Sequence, residues 1–434
     1  MKILFLTTLT VTIEHEHYFT KNVMLNLAKR YDNDPKNSIE FATILYDRSL
    51  QSSRTTTESI YGTTYSKLYI NPDKTHPNII KTISGFLKSK NPSIIHSNMI
   101  EGWDVEAAKS AGIPIILTIH IGGAICPRGG GNGLLRHNDT ICDGNIGSHC
   151  KKCITKDLPF PKVGNSLLRL FNKTIISQYF SNKKPPIWYL TPLFRSERII
   201  SNRKRILDEF KYAHIIAANK KLKDILINYV PENNIHLIPH GVKERARLPL
   251  PPLDGPIKFF ILSRIQYSKG IVDAIEAFNG IDPGKYELHI IGDAETLRTS
   301  KAYFKKTVNA SKGKNIIFHG RLPNQEIDQI IGQCHIMIHP AIYLEIYGIN
   351  ISESLSIGRG VLASKCGGPE MQIKDGFNGL LFEPHSIEAI RKTIIKILNN
   401  KELIKTFSDN ASIPMPIDSY TDKLSYLYGA LSKQ

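Results

Sequence analysis

Hydrophobic and polar positions along the chain fall into two alternating regimes. Short continuous apolar runs ending in polar residues or glycine recur at Lys2–Leu6, Ile39–Leu45, Ser93–His96, Pro114–His120, His214–Ala218 and Ile235–Pro239. They recur again at Lys258–Ser263, Glu287–Gly292, Asn315–Gly320, Cys334–Pro340, Gly360–Ser364 and Gly379–Phe382. Between them, apolar residues spaced three or four apart predict helices over Phe19–Arg30, Trp103–Ser110, Lys220–Tyr229, Val272–Phe278, Asn324–Gln333, Ile387–Asn399 and Ile417–Lys433. Runs that are apolar throughout are strands buried on both faces, which requires parallel strands connected by covering helices. The expected class is α/β, with doubly wound sheets.

The strand–helix pattern is interrupted once, at Leu248–Pro256, where four of nine residues are proline. Such a stretch continues neither a helix nor a central strand, so it reads as a stiff extended linker at 248–256. It separates an N-terminal unit, 1–247, from a C-terminal unit, 257–412, with a last helical segment, 413–434, expected to pack back on the N-terminal unit. Two doubly wound sheets facing each other leave a cleft at the carboxyl ends of their strands, where ligands bind.

Composition narrows the class further. The 434 residues are 41% hydrophobic and 22% charged, as in ordinary globular proteins. No run of 18 apolar residues predicts a transmembrane helix, and the apolar start Met1–Leu6 is too short for a signal-peptide core, so a cytoplasmic location is expected. The net charge of +17 points to anionic partners. Much of the excess is local: residues 151–212 hold 14 basic and 4 acidic side chains. Within 163–211, Leu, Ile, Phe, Tyr and Trp alternate with cations. That pattern suits a helix lying on an anionic membrane surface, or a solvated cap of the N-terminal unit.

Neither a G-x-G-x-x-G nor a G-x-x-x-x-G-K-[ST] motif occurs, which disfavours dinucleotide and P-loop chemistry. The richest chemistry follows the run ending at Pro340. Glu345 lies in the loop, Gly348 opens a helix through Ile349 and Asn350, and Glu353 sits one turn in. A strand end, glycine and helix start point backbone N–H groups at an anion. Arg264 and Lys269 follow the strand Lys258–Ser263 and would face the same cleft, where a guanidinium fork and an ammonium suit a diphosphate. Gly367-Gly368-Pro369-Glu370 adds a tight turn beside them.

Together these residues resemble family 4 of the retaining nucleotide-sugar glycosyltransferases. The carrying motifs are Glu345-x7-Glu353 with Tyr347-Gly348, Arg264 with Lys269-Gly270, and Gly367–Glu370. Ile95–Asn98, Thr118-Ile119-His120 and Ile238–Val242 agree more loosely, with His240 standing where the family has Asn and Ile121 where it has Asp. The first loop lacks the family's Gly-Gly pair. The resemblance implies a GT-B fold, two Rossmann-like domains across a cleft, and a metal-independent retaining transfer of a sugar from a nucleotide diphosphate sugar. The acceptor would be a glycan or lipid-linked glycan, in cell-surface polysaccharide or glycoconjugate synthesis, with a peripheral membrane position. By the same resemblance Arg264 and Lys269 hold the diphosphate, Glu353 the ribose hydroxyls, and Gly348, Ile349 and Asn350 the sugar oxygens. Glu345 and His120 lie beside the sugar, and backbone at Arg321 and Leu322 meets the base.

Cys126, Cys142, Cys150 and Cys153 fall within a glycine-rich loop, 121–155. Clustered soft thiolates suit a structural tetrahedral zinc, while reduced thiols or a disulfide are the other readings of the same spacing. Catalysis itself would need no cofactor. Two other functions fit part of the chain: a zinc-containing, basic nucleic-acid-binding protein, which leaves the C-terminal half unexplained, and a nucleotide-sugar epimerase on the same fold. The glycosyltransferase reading involves no nucleic acid.

Overall fold

The computed structural model describes residues 1–7, 18–32, 34, 36–60, 62–98, 102–129, 133–156, 192–294 and 298–433. The first half contributes β1 (Lys2–Thr7), β2 (Ser38–Tyr46), β3 (Arg54–Ile60), β4 (Thr63–Ile70), β5 (Ile94–Ser97), β6 (Ile115–Thr118), β7 (His214–Ala217) and β8 (Ile235–Leu237). They form one sheet in the order β3-β4-β2-β1-β5-β6-β7-β8. The second half contributes β9 (Ile257–Leu262), β10 (Tyr286–Ile291), β11 (Ile316–Gly320), β12 (Ile336–His339), β13 (Gly360–Ser364) and β14 (Gly379–Phe382), ordered β11-β10-β9-β12-β13-β14.

Twelve of these strands coincide with the apolar runs. The other two, β3 and β4, form an antiparallel hairpin at the sheet edge, so the first sheet is not wholly parallel. Its sequence conceals it: β3 reads Arg-Thr-Thr-Thr-Glu-Ser-Ile, and its described side chains are exposed, leaving no apolar run. An edge strand needs burial on neither side, so polar β-branched residues suffice.

The second sheet reverses direction between β9 and β12. β10 and β11 are added on one side of β9, and β12, β13 and β14 on the other, all parallel. The crevice of a doubly wound sheet opens beyond the carboxyl ends of the strands at that reversal. The segments after β9 and β12 are those that carry Arg264, Lys269 and Glu345.

The halves are joined at several levels. The helix Ile417–Leu431 buries Tyr420, Leu424, Tyr428 and Leu431 in a core with Ile3, Phe5 and Leu27 of the first half. His96 Nδ1 lies 2.5 Å from the Tyr428 hydroxyl, and Asn26 Nδ2 donates to Asp418 Oδ1 at 2.6 Å. In the other direction, Leu344, Ile346 and Tyr347, from the loop after β12, enter the core of the first half beside Ile119, Ala217 and Leu222. Asn219 holds this junction with both ends of its amide. Its Oδ1 accepts from Leu222 N at 2.8 Å, capping the helix Lys220–Leu226, and its Nδ2 donates to Ile346 O at 2.6 Å.

The proline-rich linker is strapped along the second half. The fully buried Arg359 donates to the carbonyls of Leu248 at 3.1 Å and Pro249 at 2.7 Å, and to Cys334 at 2.8 Å and Gly332 at 3.0 Å. Lys401 adds bonds to Leu253 O at 2.7 Å and Gly255 O at 3.1 Å. Proline removes N–H donors but leaves carbonyls, so a strap of this composition is held by cationic donors.

Part of the basic segment 163–211 lies outside the described residues. The remainder belongs to the helix Pro192–Glu209, and its cations are partly turned inward. Arg203 Nη1 donates to Ala124 O at 2.7 Å, Arg205 pairs with Glu106, and Glu197 pairs with Lys151 at 2.7 Å. Ile206 and Leu207 are buried under the first sheet. The described end of this helix thus packs on the N-terminal unit through Ile206 and Leu207. Among the described residues no helix is long and apolar enough to cross a membrane.

Replacing Arg359 with Met is expected to leave four carbonyls without their cationic donor. The predicted loss is at least about 3 kcal/mol, since hydrogen bonds to charged groups each contribute about 1.5–3 kcal/mol. Chemical denaturation of the variant beside the wild type measures it, and an unchanged midpoint contradicts the role of the strap.

Candidate active site

The site is built where the loops after β9 and β12 meet. Gly270 makes the meeting close: its φ is +65°, and a Cβ there would stand 1.9 Å from Pro340 O. That approach brings the preceding Lys269 to the β12 loop. Its Nζ lies 2.6 Å from Glu345 Oε2 and donates to the Tyr343 hydroxyl at 2.8 Å. The Tyr343 hydroxyl in turn donates to Glu345 Oε2 at 2.8 Å, and His339 Nε2 lies 3.5 Å from the same oxygen. All of these side chains except Lys269 are buried, and Lys269 is half-buried.

Burial by itself would raise the Glu345 carboxyl. The Lys269 charge and the His339 and Lys269 hydrogen bonds outweigh it and hold the group well below the usual carboxylate range. For its neighbours burial prevails: it raises the Tyr343 hydroxyl, helped by the Glu345 charge, and lowers the His339 imidazole. Near neutrality the cluster is therefore an ionised carboxylate and ammonium flanked by a neutral phenol and a neutral imidazole.

The backbone of Glu345 is clamped as firmly as its side chain. Glu345 N donates to Cys366 O at 2.9 Å, and Gly368 N donates to Glu345 O at 2.8 Å. Three residues on, Gly348, with φ +82°, turns the chain into the helix Ile349–Ser356. Gln372 braces that turn, donating to the carbonyls of Tyr347 and, at 3.3 Å, Gly348. Gly348 stands against Glu345, where an added Cβ would lie 3.4 Å from Glu345 Cγ, so the positive dipole end of the helix opens beside the Lys269–Glu345 pair, an arrangement suited to a bound anion.

Asn350, in the first turn of this helix, reaches the end of β9. Its side-chain amide donates to Leu262 O at 2.7 Å and approaches His339 Nδ1 at 3.3 Å, tying the new helix to the end of β9. The same amide serves structure, because the carbonyl at a strand terminus needs a donor. Glu353 lies farther along the helix, apart from the Lys269–Glu345 cluster. Burial pushes its carboxyl up to about 7, with Arg245 pulling down and Asp328 pushing up. Arg264 is exposed at the end of β9 and close enough for its charge to act on Tyr343. Arg321 is exposed, and Leu322 is half-buried against Leu262 and Ile291.

From the first half, His120 reaches the same region through another histidine. His120 Nδ1 lies 3.3 Å from His240 Nε2, and the His240 ring stands 5.5 Å from the Tyr347 ring, edge to face. Burial, then the charge of His120, lowers His240 well below the usual imidazole range. His240, Tyr343, His339 and Asn219 are site-building residues that the motif reading passed over. Two of them had a weak signal: His339 lies near the end of the apolar run Cys334–Pro340, and His240 departs from the family pattern.

The four clustered cysteines also come together. Cys126, Cys142, Cys150 and Cys153 line one cavity of about 10 Å³, with His149 and Leu134 in its wall. Among the described residues, the ligand atoms of Cys142, Asp143 and His149 all lie within 4.8 Å of one another. The first loop, with Thr8–Val11 and Glu14–His17, lies outside the described residues.

Comparisons with known proteins fit this geometry. Residues 242–413 match the family described as glycosyl transferases group 1. Among curated proteins, an uncharacterized glycosyltransferase of Methanocaldococcus jannaschii is 26% identical over 221 residues, spanning 46% of this chain and 54% of that protein. The lipopolysaccharide 1,2-N-acetylglucosaminetransferase of Salmonella typhimurium is 28% identical over 209 residues, 44% of this chain and 54% of that protein. The chain spans about half the length of the curated relatives it matches. Among solved structures, Anabaena HepE in complex with UDP and glucose aligns with a TM-score of 0.64 at 14% identity, over 99% of this chain and 100% of that one. The fold is therefore the GT-B type, two α/β domains, with a C-terminal half similar to group 1 glycosyl transferases.

Two pH-dependent outcomes follow from the carboxyls. Lys269→Met strands a buried carboxylate and is expected to destabilise by about 3–5 kcal/mol at pH 8. At pH 5 the loss shrinks, because an unpaired buried Glu345 protonates. Adding Glu345→Gln restores part of the pH 8 loss; denaturation at both pH values that shows equal losses contradicts the pairing. Glu353 has the opposite sign. A folded-state value of about 7, above the ordinary carboxyl range, makes its contribution full at low pH and lost as pH rises through 7. Glu353→Gln should therefore raise the melting temperature at pH 8 and change it little at pH 5.

Proposed function

We propose that the protein is a retaining glycosyltransferase that moves a sugar from a nucleotide diphosphate sugar to a hydroxyl of a glycan, with a lipid-linked glycan as the acceptor class. The observation that carries this reading is the Lys269–Glu345 pair beside the helix start at Gly348, set at the strand reversal of a domain that matches group 1 glycosyl transferases. The UDP-bound and glucose-bound neighbour and the lipopolysaccharide-acting relative support the donor and acceptor classes.

The chemistry follows from charge. When the bond between the anomeric carbon and the diphosphate oxygen breaks, negative charge grows on that oxygen, and fixed donors stabilise it without reorganising. Lys269 has three N–H groups, of which two are engaged by Glu345 and Tyr343, leaving one for a phosphate oxygen. Arg264 and the positive end of the helix Ile349–Ser356 add charge, so the site supplies the stabilisation that a divalent ion gives elsewhere. The acceptor hydroxyl approaches on the face from which the diphosphate leaves. Its proton passes to the departing phosphate oxygen while its oxygen bonds the anomeric carbon, which preserves configuration. Glu345, held ionised, faces the developing positive charge on the sugar. Glu353 on the following helix binds the ribose hydroxyls, and its acceptor strength grows as it ionises near pH 7.

Thermal shifts with UDP, GDP, ADP and CMP test the donor site. A native-state ligand at a hundredfold excess over Kd stabilises by about 2.7 kcal/mol. One diphosphate should stabilise the wild type, more at pH 8 than at pH 6, and Glu353→Ala should lose most of that shift. Equal shifts from every nucleotide in both proteins, or none in either, defeat the reading.

A further inference from the structure

We infer that the cavity enclosed by Cys126, Cys142, Cys150 and Cys153 is a structural site for one soft divalent cation of the zinc class, held by the four thiolates, and that it locks the 121–156 loop as a brace between the two halves. Three observations carry it. The first is convergence. Residues separated by 27 positions in sequence all turn their side chains on one space of about 10 Å³, enough for a single ion. All four cysteines are buried and none is in a disulfide. Cys150 and Cys153, three apart on the helix His149–Lys156, lie on one face, as a chelating pair requires.

The second is an orphaned polar atom. His149 lines the same cavity, and its Nε2 is buried with no hydrogen-bond partner. Buried polar atoms are ordinarily satisfied, so one aimed at a cluster of thiols calls for a charged occupant. A metal-bound thiolate is an acceptor for that imidazole N–H, and the ligand atom of His149 already lies within 4.8 Å of that of Cys142.

The third is where the loop stands. Among its described residues, Ala124, Ile125, Leu134 and Cys142 belong to the first domain's core. The loop also makes a contact between the halves. Leu135 and Ile141 pack on Ile342, Tyr343 and Cys366 of the second half, and Asp139 hydrogen-bonds the Tyr267 hydroxyl. Tyr343 is the residue that bonds both Lys269 and Glu345. A thiolate site joining Cys126 and Cys142 to the helix that bears Cys150 and Cys153 would fix the two ends of this loop to each other. On binding, the dication displaces four thiol protons to solvent and no electron changes hands.

Metal analysis of the full-length protein, purified under reducing conditions without chelator, tests this independently of any transferase activity. On the order of one zinc per chain is expected. Cys142→Ser and Cys150→Ser should each lower it at least about tenfold, while Cys334→Ala, in the core of the second half, keeps it. His149→Ala should also keep it; loss of the metal there overturns the four-thiolate set. Stripping the wild type with a strong chelator should make four further thiols reactive to a disulfide reagent and lower the melting temperature. A wild type that neither carries zinc nor takes up one equivalent of added zinc overturns the site, whether its thiols prove free or joined in disulfides.

Discussion

The buried pairing of Glu345 with Lys269 is the interaction around which the second half is arranged. Taking a carboxylate out of water costs several kcal/mol unless an opposite charge and further donors meet it. Here the charge comes from the loop after β9, and the donors come from Tyr343 and His339 at the end of β12. The pair therefore fastens two segments that leave the sheet on either side of its reversal. Glu345's backbone also bridges to Gly367 beyond β13. Three loops that border the crevice are positioned by one residue.

The same loop couples the two halves. Just past Glu345, Ile346 and Tyr347 leave the second domain's core and enter the first domain's, where Asn219 and the His240 ring meet them. Displacing the first domain would pull on the segment that carries Glu345 and Gly348. The cysteine loop acts on the other flank, resting Leu135 and Ile141 against Tyr343. The proposed catalytic face is thus held from both domains, as groups that must keep their places through a reaction require.

The neutral groups are as informative as the charged ones. His96, His240 and His339 are buried and held below the usual imidazole range, His96 to about 3. They act as fixed hydrogen-bonding and packing rings near neutrality, each beside a hydroxyl or another ring: His96 between Tyr428 and Thr118, His240 between His120 and Tyr347. Glu353 is the exception, a carboxyl that titrates near neutrality on a helix otherwise packed into the core.

The sequence by itself determined the two-sheet architecture, because strands buried on both faces must be apolar throughout, and that signature survives without any partner in view. It also marked Arg264, Lys269, Glu345 and Glu353, since strand ends, glycines and helix starts are local features. The edge strand β3 was illegible for the converse reason: its exposed side chains carry no apolar signature. Only the tertiary structure decided that Lys269 pairs with Glu345 across 76 positions, that Tyr343 and His339 complete the pair, and that Asn350 serves the end of β9. It also decided that the last helix and the proline-rich strap are bound by His96, Asn26 and Arg359. Those are contacts between residues far apart along the chain, set by which strands neighbour one another, and strand order is a property of the closed sheet that no local pattern encodes.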